Sequence, residues 1–539
     1  MKKVITTLLV SVVSMVTWSQ QIPLKDPVQR VDQLTQNALA QFNVPGIAVA
    51  IVKDNTVLLS KGYGVRSSIN MKPVTDSTLF AIASNSKAFT AGALAILVDR
   101  GQLAWDDKVR KHLPYFTLYS PYVSEEFTIR DLLCHRSGLN TFSGDLIWYG
   151  STHSREEVVK RARYLAPSFG FREQYGYSNI MYLAAGLIVE RLSGMTWDQF
   201  IIENFFRPLG MSTSNTTVSD YTSVKGDIQS SKSKNIASPH NEVSGKNVAI
   251  DYVNWDNIGP AGSINSSVAE LTNWIKLQLG KGSWNGRTYW KEQRSWEMWE
   301  NYIPKTVSRW QRENMPSRHF NGYGLGWELM EYRGHKIVSH GGGYDGMISK
   351  TVLVPEINLG FVILTNNINS VPSALTFEIL DSFLMQTDNR GEWVGEKKDW
   401  MGMFQGFYKD EIKNTQEALI ADSAARVKGS RMSLPLADYC GSYSSEMYGE
   451  VLVTIDENPR SPSGGLKIDF APTALFKGQL SHWHYDTFEL TWSTQMMLPR
   501  GKATFVLNDA GHPAELKVIV DNPDFDFTEL ILLRKEQKK

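Results

Sequence analysis

Four apolar segments between residues 325 and 365 constrain the fold more than any other feature, because only a few residues separate each from the next. These segments cover residues 325–332, 335–340, 347–354 and 359–365. Such short connections favour antiparallel strands, since parallel strands need a long crossover. Helical patterns precede and follow these strands along the chain. The sequence therefore predicts an α+β fold with an antiparallel sheet flanked by helices, rather than a parallel doubly wound sheet.

The N-terminal half contributes a hairpin and several helices to this prediction. The hairpin comprises residues 46–52 and 57–65 and turns at Asp54-Asn55. Apolar spacing predicts helices at residues 28–42, 128–134, 179–192 and 268–279. Residues 212–258 are rich in Ser, Thr, Asn and Lys and lack a clear period. We expect this segment to form a long surface excursion.

The C-terminal part follows a different pattern. Residues 386–436 are charged and helical, which predicts a helical connector. Short alternating segments then follow at residues 450–455, 466–470, 487–492, 503–507, 515–520 and 527–533. This spacing predicts a separate small all-β domain, a barrel or a sandwich, at residues 437–539.

Charge and the N-terminus bear on location and partners. The 539 residues carry 56 basic and 56 acidic groups, so no net field favours nucleic acid or an anionic membrane. Lys2 and Lys3 precede an apolar run at residues 4–16, which predicts a signal peptide at residues 1–19 and a periplasmic or secreted protein. The run is too short to span a bilayer comfortably, so no stable membrane span is expected after cleavage. The alternative is a membrane anchor that is retained because cleavage fails. With two cysteines, there is no disulfide framework.

Ser84 lies in the segment with the clearest catalytic pattern, Ala83-Ser-Asn-Ser-Lys-Ala-Phe-Thr90. This segment begins a helix that is predicted to run to Arg100. Lys87 follows Ser84 by three residues, so one helical turn places both side chains on the same face, about 5–6 Å apart at Cβ. A lysine can take a proton from a serine hydroxyl when its surroundings lower its pKa. The helix N-terminus favours negative charge at the reacting centre. The pattern thus allows an activated serine.

Ser-x-x-Lys alone does not identify a nucleophile. The same spacing recurs at Ser231-Lys-Ser-Lys234, in a polar stretch with no helical period. Ser84 could instead cap its helix, with Lys87 as a solvated first-turn side chain. Taken in isolation, this structural interpretation is favoured over the catalytic one.

A second candidate segment is Tyr177-Ser-Asn179, which directly precedes a predicted helix. A tyrosine held near a lysine ammonium ionises more easily and can act as a general base. Asn179 offers both a donor and an acceptor for a substrate amide. Another such triplet occurs at Tyr252-Val-Asn254, but the strong amphipathic helix after Tyr177 favours the first.

A third candidate is His340-Gly-Gly-Gly343, which ends a predicted strand. Glycines there let a substrate backbone approach closely, and the strand edge can pair with it. His340 can donate a hydrogen bond or, as an imidazolium, attract a substrate carboxylate. The alternative is that His340 is a turn or packing residue.

Together, Ser84-x-x-Lys87, Tyr177-x-Asn179 and His340-x-Gly342 resemble the three motifs of the penicillin-recognising serine hydrolases, in the branch of class C β-lactamases and D,D-peptidases (serine peptidase S12 type). Connecting stretches resemble the same family, among them Val44-Pro-Gly46, Lys61-Gly-Tyr-Gly64, Gly101-Gln-Leu103 and Pro208-Leu-Gly-Met211. The resemblance covers residues 28–385. Residues 437–539 are similar to the lipocalin-like β domain that follows this hydrolase in many related bacterial proteins.

The resemblance implies a β-lactamase/transpeptidase-like fold with an all-helical subdomain, and a catalytic Ser84 that attacks a carbonyl. Lys87 and Tyr177 would move the proton, and backbone N–H groups of Ser84 and Gly343 would form the oxyanion hole. Water would release the acyl-enzyme, with Tyr177 as the base. The resemblance implies no metal and no cofactor.

Substrate binding would fall to Asn179, His340 and Gly342. The family commonly carries lysine where this chain has His340, and imidazole is only partly charged near neutrality. This departure favours D-amino-acid peptides, esters or amides over efficient penicillin hydrolysis.

The predicted function is therefore a secreted serine hydrolase that cleaves a D-amino-acid peptide, a β-lactam or a small ester through an acyl-Ser84 intermediate. Its expected partner is a small-molecule or peptide substrate, and the oligomeric state stays open. The alternative is a sensor or peptidoglycan-binding protein that binds penicillin without turnover.

Overall fold

The computed structural model describes residues 26–220, 235–315, 317–385, 394, 397–456, 465–493 and 498–535. The predicted signal peptide at residues 1–19 lies outside them. Within these residues, every helix is too short or too polar to cross a membrane. The predicted domain boundaries stay predictions.

Helices account for much of the described chain before residue 440. They are α1 (Pro27–Gln41), α2 (Ser86–Asp99), α3 (Val109–His112), α4 (Pro121–Glu126), α5 (Ile129–Leu133), α6 (Asp145–Trp148), α7 (Arg155–Arg161), α8 (Asn179–Ser193), α9 (Trp197–Ile201), α10 (Arg207–Leu209), α11 (Gly259–Gly262), α12 (Val268–Leu279), α13 (Glu292–Met298), α14 (Arg309–Asn314), α15 (Val371–Leu384), α16 (Trp400–Ala424) and α17 (Leu436–Tyr439).

Strands form one large sheet, three small ones and a barrel. They are β1 (Gly46–Lys53), β2 (Thr56–Gly64), β3 (Phe80–Ala81), β4 (His240–Val243), β5 (Lys246–Ala249), β6 (Asn265–Ser266), β7 (Ser283–Trp284), β8 (Arg287–Thr288), β9 (Ile303–Lys305), β10 (Asn321–Tyr323), β11 (Glu328–Tyr332), β12 (His335–Tyr344), β13 (Met347–Val354), β14 (Leu359–Thr365), β15 (Gly441–Ser445), β16 (Gly449–Ile455), β17 (Leu466–Phe470), β18 (Lys477–His484), β19 (Thr487–Trp492), β20 (Gly501–Leu507), β21 (Pro513–Val520) and β22 (Leu532–Arg534).

The large sheet has eight strands in the order β2-β1-β14-β13-β12-β11-β10-β9. Neighbouring strands are antiparallel throughout, which confirms the predicted fold class. β13 and β14 have the predicted bounds, whereas β12 runs four residues further, from His340 to Tyr344.

Both faces of this sheet are covered, as the alternation along β1 shows. Ile47, Val49 and Ile51 belong to the core shared with α1 and α15. Ala48 and Ala50 belong to the core on the opposite face, with α2 and α12. Small alanines on that side allow close approach of the helices that carry the candidate site.

A helical subdomain lies against α2. Helices α5 and α7 contact α8, and α8 in turn contacts α2 and α11. This packing places the N-terminus of α8, which follows Tyr177, beside the start of α2. The segments predicted to hold catalytic residues therefore meet between the sheet and the helical subdomain.

Strands β15 to β22 close into an eight-stranded barrel, the small β domain that the sequence predicts. Two of its strands, β15 and β18, were not predicted from the sequence. Part of the predicted strand at residues 527–533 is instead a 3-10 turn, Phe527–Glu529. Before the barrel, α16 packs on α15.

Residues 212–258 are packed more tightly than the predicted surface excursion, although residues 221–234 of it lie outside the described chain. Ala237, Ser238 and His240 are buried. His240 Nδ1 donates to the carbonyl of Asn366 (2.9 Å), and its Nε2 accepts from the backbone N–H of Ser68 (2.9 Å). The expectation of a surface segment is therefore wrong for these residues.

Candidate active site

Ser84 lies in a 3-10 turn, Ala83–Asn85, directly before α2. Ala83 has a φ of 47°, in the left-handed region that is unfavourable for a residue with a side chain. Ser349 holds the turn, since its Oγ accepts from Asn85 Nδ2 (2.7 Å) and donates to the carbonyl of Ile82 (2.7 Å). The strained turn presents Ser84 at the N-terminal end of the helix.

Lys87 is fully buried beside Ser84. Its Nζ lies 3.1 Å from Ser84 Oγ, 2.6 Å from Asn179 Oδ1 and 2.9 Å from the carbonyl oxygen of Ala261. Burial lowers the pKa of Lys87 well below its usual value, and the opposing charge of Asp145 only partly offsets this effect. A neutral Lys87 would donate two N–H bonds to the carbonyl oxygens of Asn179 and Ala261. Its lone pair would then face Ser84.

Asn179 connects Lys87 to a buried carboxyl group that the sequence analysis missed. Its Nδ2 donates to Asp145 Oδ2 (2.7 Å), and Trp148 Nε1 donates to Asp145 Oδ1 (2.7 Å). Burial raises the pKa of Asp145 to about 8. An acidic residue directly before the apolar run Leu146-Ile-Trp-Tyr149 was the available signal. The predicted contact of Asn179 with a substrate amide stays a prediction.

Tyr177 lies over Lys87, with Nζ 4.7 Å from the ring centroid, and its hydroxyl lies beside Ser84. Burial raises the pKa of Tyr177 well above 10. We expected the lysine to ease ionisation of the phenol. Burial opposes that expectation, because it disfavours a phenolate as well as the charged form of Lys87.

His135 packs against the Tyr177 segment. The sequence analysis did not identify it as a site residue. Its Nδ1 accepts from the backbone N–H of Ser178 (3.1 Å). The rings of Tyr177 and Tyr182 lie 4.2 and 5.1 Å from it. Its position after α5 carried no catalytic pattern, so only the tertiary structure identifies it.

The glycines after His340 form an open strand edge rather than a turn. Pairing of β11 with β12 ends at Ser339, so residues 340–344 have a ladder partner only in β13 among the described strands. A Cβ on Gly342 would lie 2.3 Å from the carbonyl oxygen of Ile82 and 3.1 Å from the backbone nitrogen of Ser84. Glycine is therefore required for the strand to approach the Ser84 turn.

His340 is buried and held by two protein partners. Its Nδ1 donates to the carbonyl of Gly341 (2.5 Å), and its Nε2 accepts from the hydroxyl of Tyr323 (2.7 Å). Burial lowers the pKa of His340 to about 3. The hypothesis that His340 binds a carboxylate as an imidazolium is therefore wrong. The ring is neutral between pH 5.5 and 8.

These groups border a cavity of about 510 Å³. Five of the predicted site residues line it, namely Ser84, Tyr177, Asn179, His340 and Gly343. Lys87 and Gly342 lie behind its wall. Trp296, Trp299 and Trp310 are not among the residues that line it.

The sheet, the helical subdomain and the three motifs at one cavity define a β-lactamase/transpeptidase-like hydrolase domain. Residues 31–376 match the family model described as Beta-lactamase, and residues 425–534 match a domain of unknown function, DUF3471. The chain belongs to the beta-lactamase family, as the motifs predict.

Named relatives extend this finding. The chain is 26% identical to the unguisins hydrolase ungD' of Aspergillus campestris over 533 residues, covering 95% of this chain and 92% of the relative. It is similar in fold to an octameric penicillin-binding protein homologue from Pyrococcus abyssi, with a TM-score of 0.59 and 21% identity over 92% of this chain and 98% of that one. A D-amino acid amidase from Ochrobactrum anthropi SV3 matches with a TM-score of 0.52 and 22% identity over 66% of this chain and 98% of that one.

Proposed function

We propose that this protein is a serine hydrolase that cleaves an amide or ester bond through an acyl-Ser84 intermediate. The observation that carries the proposal is the 3.1 Å contact between Lys87 Nζ and Ser84 Oγ, in surroundings that lower the pKa of the lysine. A buried neutral amine is a competent base for a serine hydroxyl.

The proposed reaction begins when Ser84 Oγ attacks a substrate carbonyl carbon and its proton passes to Lys87 Nζ. The carbonyl oxygen becomes an oxyanion between the backbone N–H groups of Ser84 and Gly343, whose alignment before reaction lowers the barrier. The proton then passes to the leaving amine or alcohol by way of the Tyr177 hydroxyl. This leaves an ester between the substrate acyl group and Ser84.

Water would complete the cycle by attacking the acyl-Ser84 carbonyl. Since burial keeps Tyr177 protonated, Lys87 is the better candidate for the group that takes the proton of this water, in place of the Tyr177 base that the resemblance implied. Tyr177 would then donate a hydrogen bond to Ser84 and relay the proton back to Ser84 Oγ as the product acid leaves.

The names of the relatives support amide or ester substrates. One matching relative is a hydrolase of unguisins, and one structural neighbour is a D-amino acid amidase. We also propose a periplasmic or secreted location, which rests on the basic start and apolar run of residues 1–19.

Covalent labelling with a fluorophosphonate and with a fluorescent penicillin tests the acyl-Ser84 step. We expect peptide mapping to place the fluorophosphonate on Ser84, and Ser84→Ala to lose labelling and all measurable turnover of p-nitrophenyl acetate. Ser231→Ala, in the second Ser-x-x-Lys copy, is the matched control and should behave as wild type.

Turnover separates an enzyme from the penicillin-binding sensor. Multiple turnovers of an ester or of a D-alanyl peptide would support the hydrolase. Stoichiometric labelling with no product release over hours would support the sensor. Label on another residue, or full activity of Ser84→Ala, would contradict both.

A further inference from the structure

The barrel contributes one wall of the cavity that contains Ser84. Asn522, Asp524 and Phe525 line this cavity, and all three belong to the connection between β21 and β22, the last two barrel strands. The ring of Phe525 packs on Tyr149 of the hydrolase domain, with 4.4 Å between ring centroids. A substrate that filled this cavity from Ser84 to the barrel wall would therefore contact both the hydrolase domain and the barrel.

This connection is held in place on both sides of Asp524. Asn522 Oδ1 accepts from the backbone N–H groups of Asp524 (2.8 Å) and Phe525 (3.1 Å). Further along, the Glu529 carboxylate accepts from the backbone N–H of Gly144 (2.8 Å) and from the hydroxyl of Ser143. The position of Asp524 is thus fixed by contacts that do not involve its own carboxylate.

The carboxylate of Asp524 makes no ion pair with any residue that the structure describes. Asp345, from the hydrolase domain, lines the same cavity and is close enough for each charge to raise the other's energy. Its Oδ1 accepts from the hydroxyl of Tyr149 (2.6 Å), and its Oδ2 is buried beside the indole of Trp255 without a hydrogen bond of good geometry. These two carboxylates are the least compensated charges at the barrel end of the cavity.

Positive charge is lacking on the described walls, since no lysine or arginine is among the residues that line the cavity. Two further acidic groups line the cavity, and both have partners. Glu328 is paired with Lys305 (3.0 Å) and Lys350 (3.1 Å), and Asp145 accepts hydrogen bonds from Asn179 and Trp148. His340 is neutral. The cavity therefore repels a substrate carboxylate and attracts a cation.

We propose that Asp524 is a specificity-determining residue, which acts with Asp345 to select substrates that carry an ammonium group, namely amides or esters of amino acids with a free amino group. This inference rests on the proposed function. It gives the barrel a part in substrate choice, while Ser84 and Lys87 carry the chemistry. An N-acylated substrate lacks the ammonium charge, so the carboxylates of Asp524 and Asp345 do not increase its affinity.

A matched pair of substrates tests the proposal in the full-length protein. Alanine p-nitroanilide and N-acetylalanine p-nitroanilide, each in the D and L configuration, differ in the ammonium group. For the wild type we expect a higher kcat/KM for the free amine. Asp524→Asn should lower the ratio of the two kcat/KM values about 10-fold, the size expected for one charge-assisted hydrogen bond. Asp521→Asn, which makes the same charge change in the same connection outside the cavity, should leave the ratio unchanged.

An unchanged ratio in Asp524→Asn would overturn the proposal, and so would a wild-type preference for the acetylated substrate. If neither anilide is cleaved, equilibrium binding of alanine amide and N-acetylalanine amide to Ser84→Ala gives the same comparison without catalysis. Equal or absent binding of the two amides would overturn the inference. Labelling of Ser84 by fluorophosphonate would still report on the proposed function, so the two failures are distinguishable.

Discussion

On the hydrolase side of the cavity, the polar atoms of Lys87, Asn179 and Asp145 are buried and bonded to one another. On the barrel side, the carboxylate of Asp524 has no ion-pair partner among the described residues. The first arrangement changes pKa values and fixes a geometry before any substrate arrives. The second leaves a charge available to a substrate. The difference indicates that burial prepares the chemistry and an open wall selects the substrate, so changes on the two sides should affect different kinetic constants.

The largest effect is expected for Lys87→Met, which keeps the length of the side chain and removes the amine. We expect kcat/KM to fall by about 10³-fold, the range for loss of a general base. In the wild type, activity should fall as the pH falls through the depressed pKa of Lys87, because a protonated amine cannot accept the Ser84 proton. Hydrolysis of p-nitrophenyl acetate across pH measures both effects, with Lys160→Met as the control on a partly exposed lysine. An unchanged acid limb in Lys87→Met would contradict this role.

Gly342→Ala should have the next largest effect, because the added Cβ would lie 2.3 Å from the carbonyl oxygen of Ile82 and 2.4 Å from Ser349 Oγ. β12 and the Ser84 turn would have to separate, and we expect kcat to fall about 100-fold, the cost of one lost oxyanion donor. At Gly343 the nearest atom to an added Cβ is Ile348 Cδ1, at 3.8 Å. The fall in kcat for Gly343→Ala should therefore be at least tenfold smaller than the fall for Gly342→Ala. Equal losses in the two variants would count against a steric cause.

His340 gives a prediction about stability on the buried side. Its pKa is about 3 in the folded protein and 6.5 in the unfolded chain, so the unfolded state binds the proton more tightly. Stability is full above pH 6.5 and is lost as the pH falls toward 3. Between pH 7 and pH 5 the loss is about 2 kcal/mol. Urea unfolding at the two pH values should show at least this loss in the wild type, because buried His135 and His240 also have lowered pKa values, and a loss smaller by about 2 kcal/mol in His340→Gln.

The exposed barrel histidine His512 supplies the control for this measurement. His512→Gln should lose as much stability as the wild type between pH 7 and pH 5. If His340→Gln kept the full wild-type pH dependence, the ring would have to be accessible to protons in the folded state.

The smallest effect is expected for Glu529→Ala, which removes the acceptor for Gly144 N–H and leaves the Ser84 turn intact. We expect kcat/KM for the free-amine anilide to fall about threefold, mainly through KM, since only the placement of the barrel wall changes. Glu515→Ala, on β21, is the control. A parallel fall in the rate of fluorophosphonate labelling would mean that the barrel connection also positions the chemistry.

Local sequence patterns predicted much of the sheet and of the site. The spacing of apolar residues placed β13 and β14, and the turn at Asp54-Asn55 placed the first hairpin. The three motifs identified five of the residues that line the cavity. These features depend on neighbouring residues, so a local pattern is sufficient to find them.

Charge states and distant partners could not be predicted in the same way. The lowered pKa values of Lys87 and His340 follow from burial, which only the packed structure provides. Asp145 joins the site through Asn179, 34 positions away in the sequence. Asp524 reaches the cavity through barrel closure. No local pattern connects these residues to Ser84.

Tyr149 carries a practical consequence for work on this protein. Its ring packs between Phe476 and Phe525 of the barrel, with centroid separations of 5.7 and 4.4 Å, and only 2% of the residue is exposed. A hydrolase fragment produced without residues 437–539 would present this aromatic face to water, where it would favour self-association. We therefore expect the isolated hydrolase fragment to self-associate, and the hydrolase domain and the barrel are best expressed as one polypeptide.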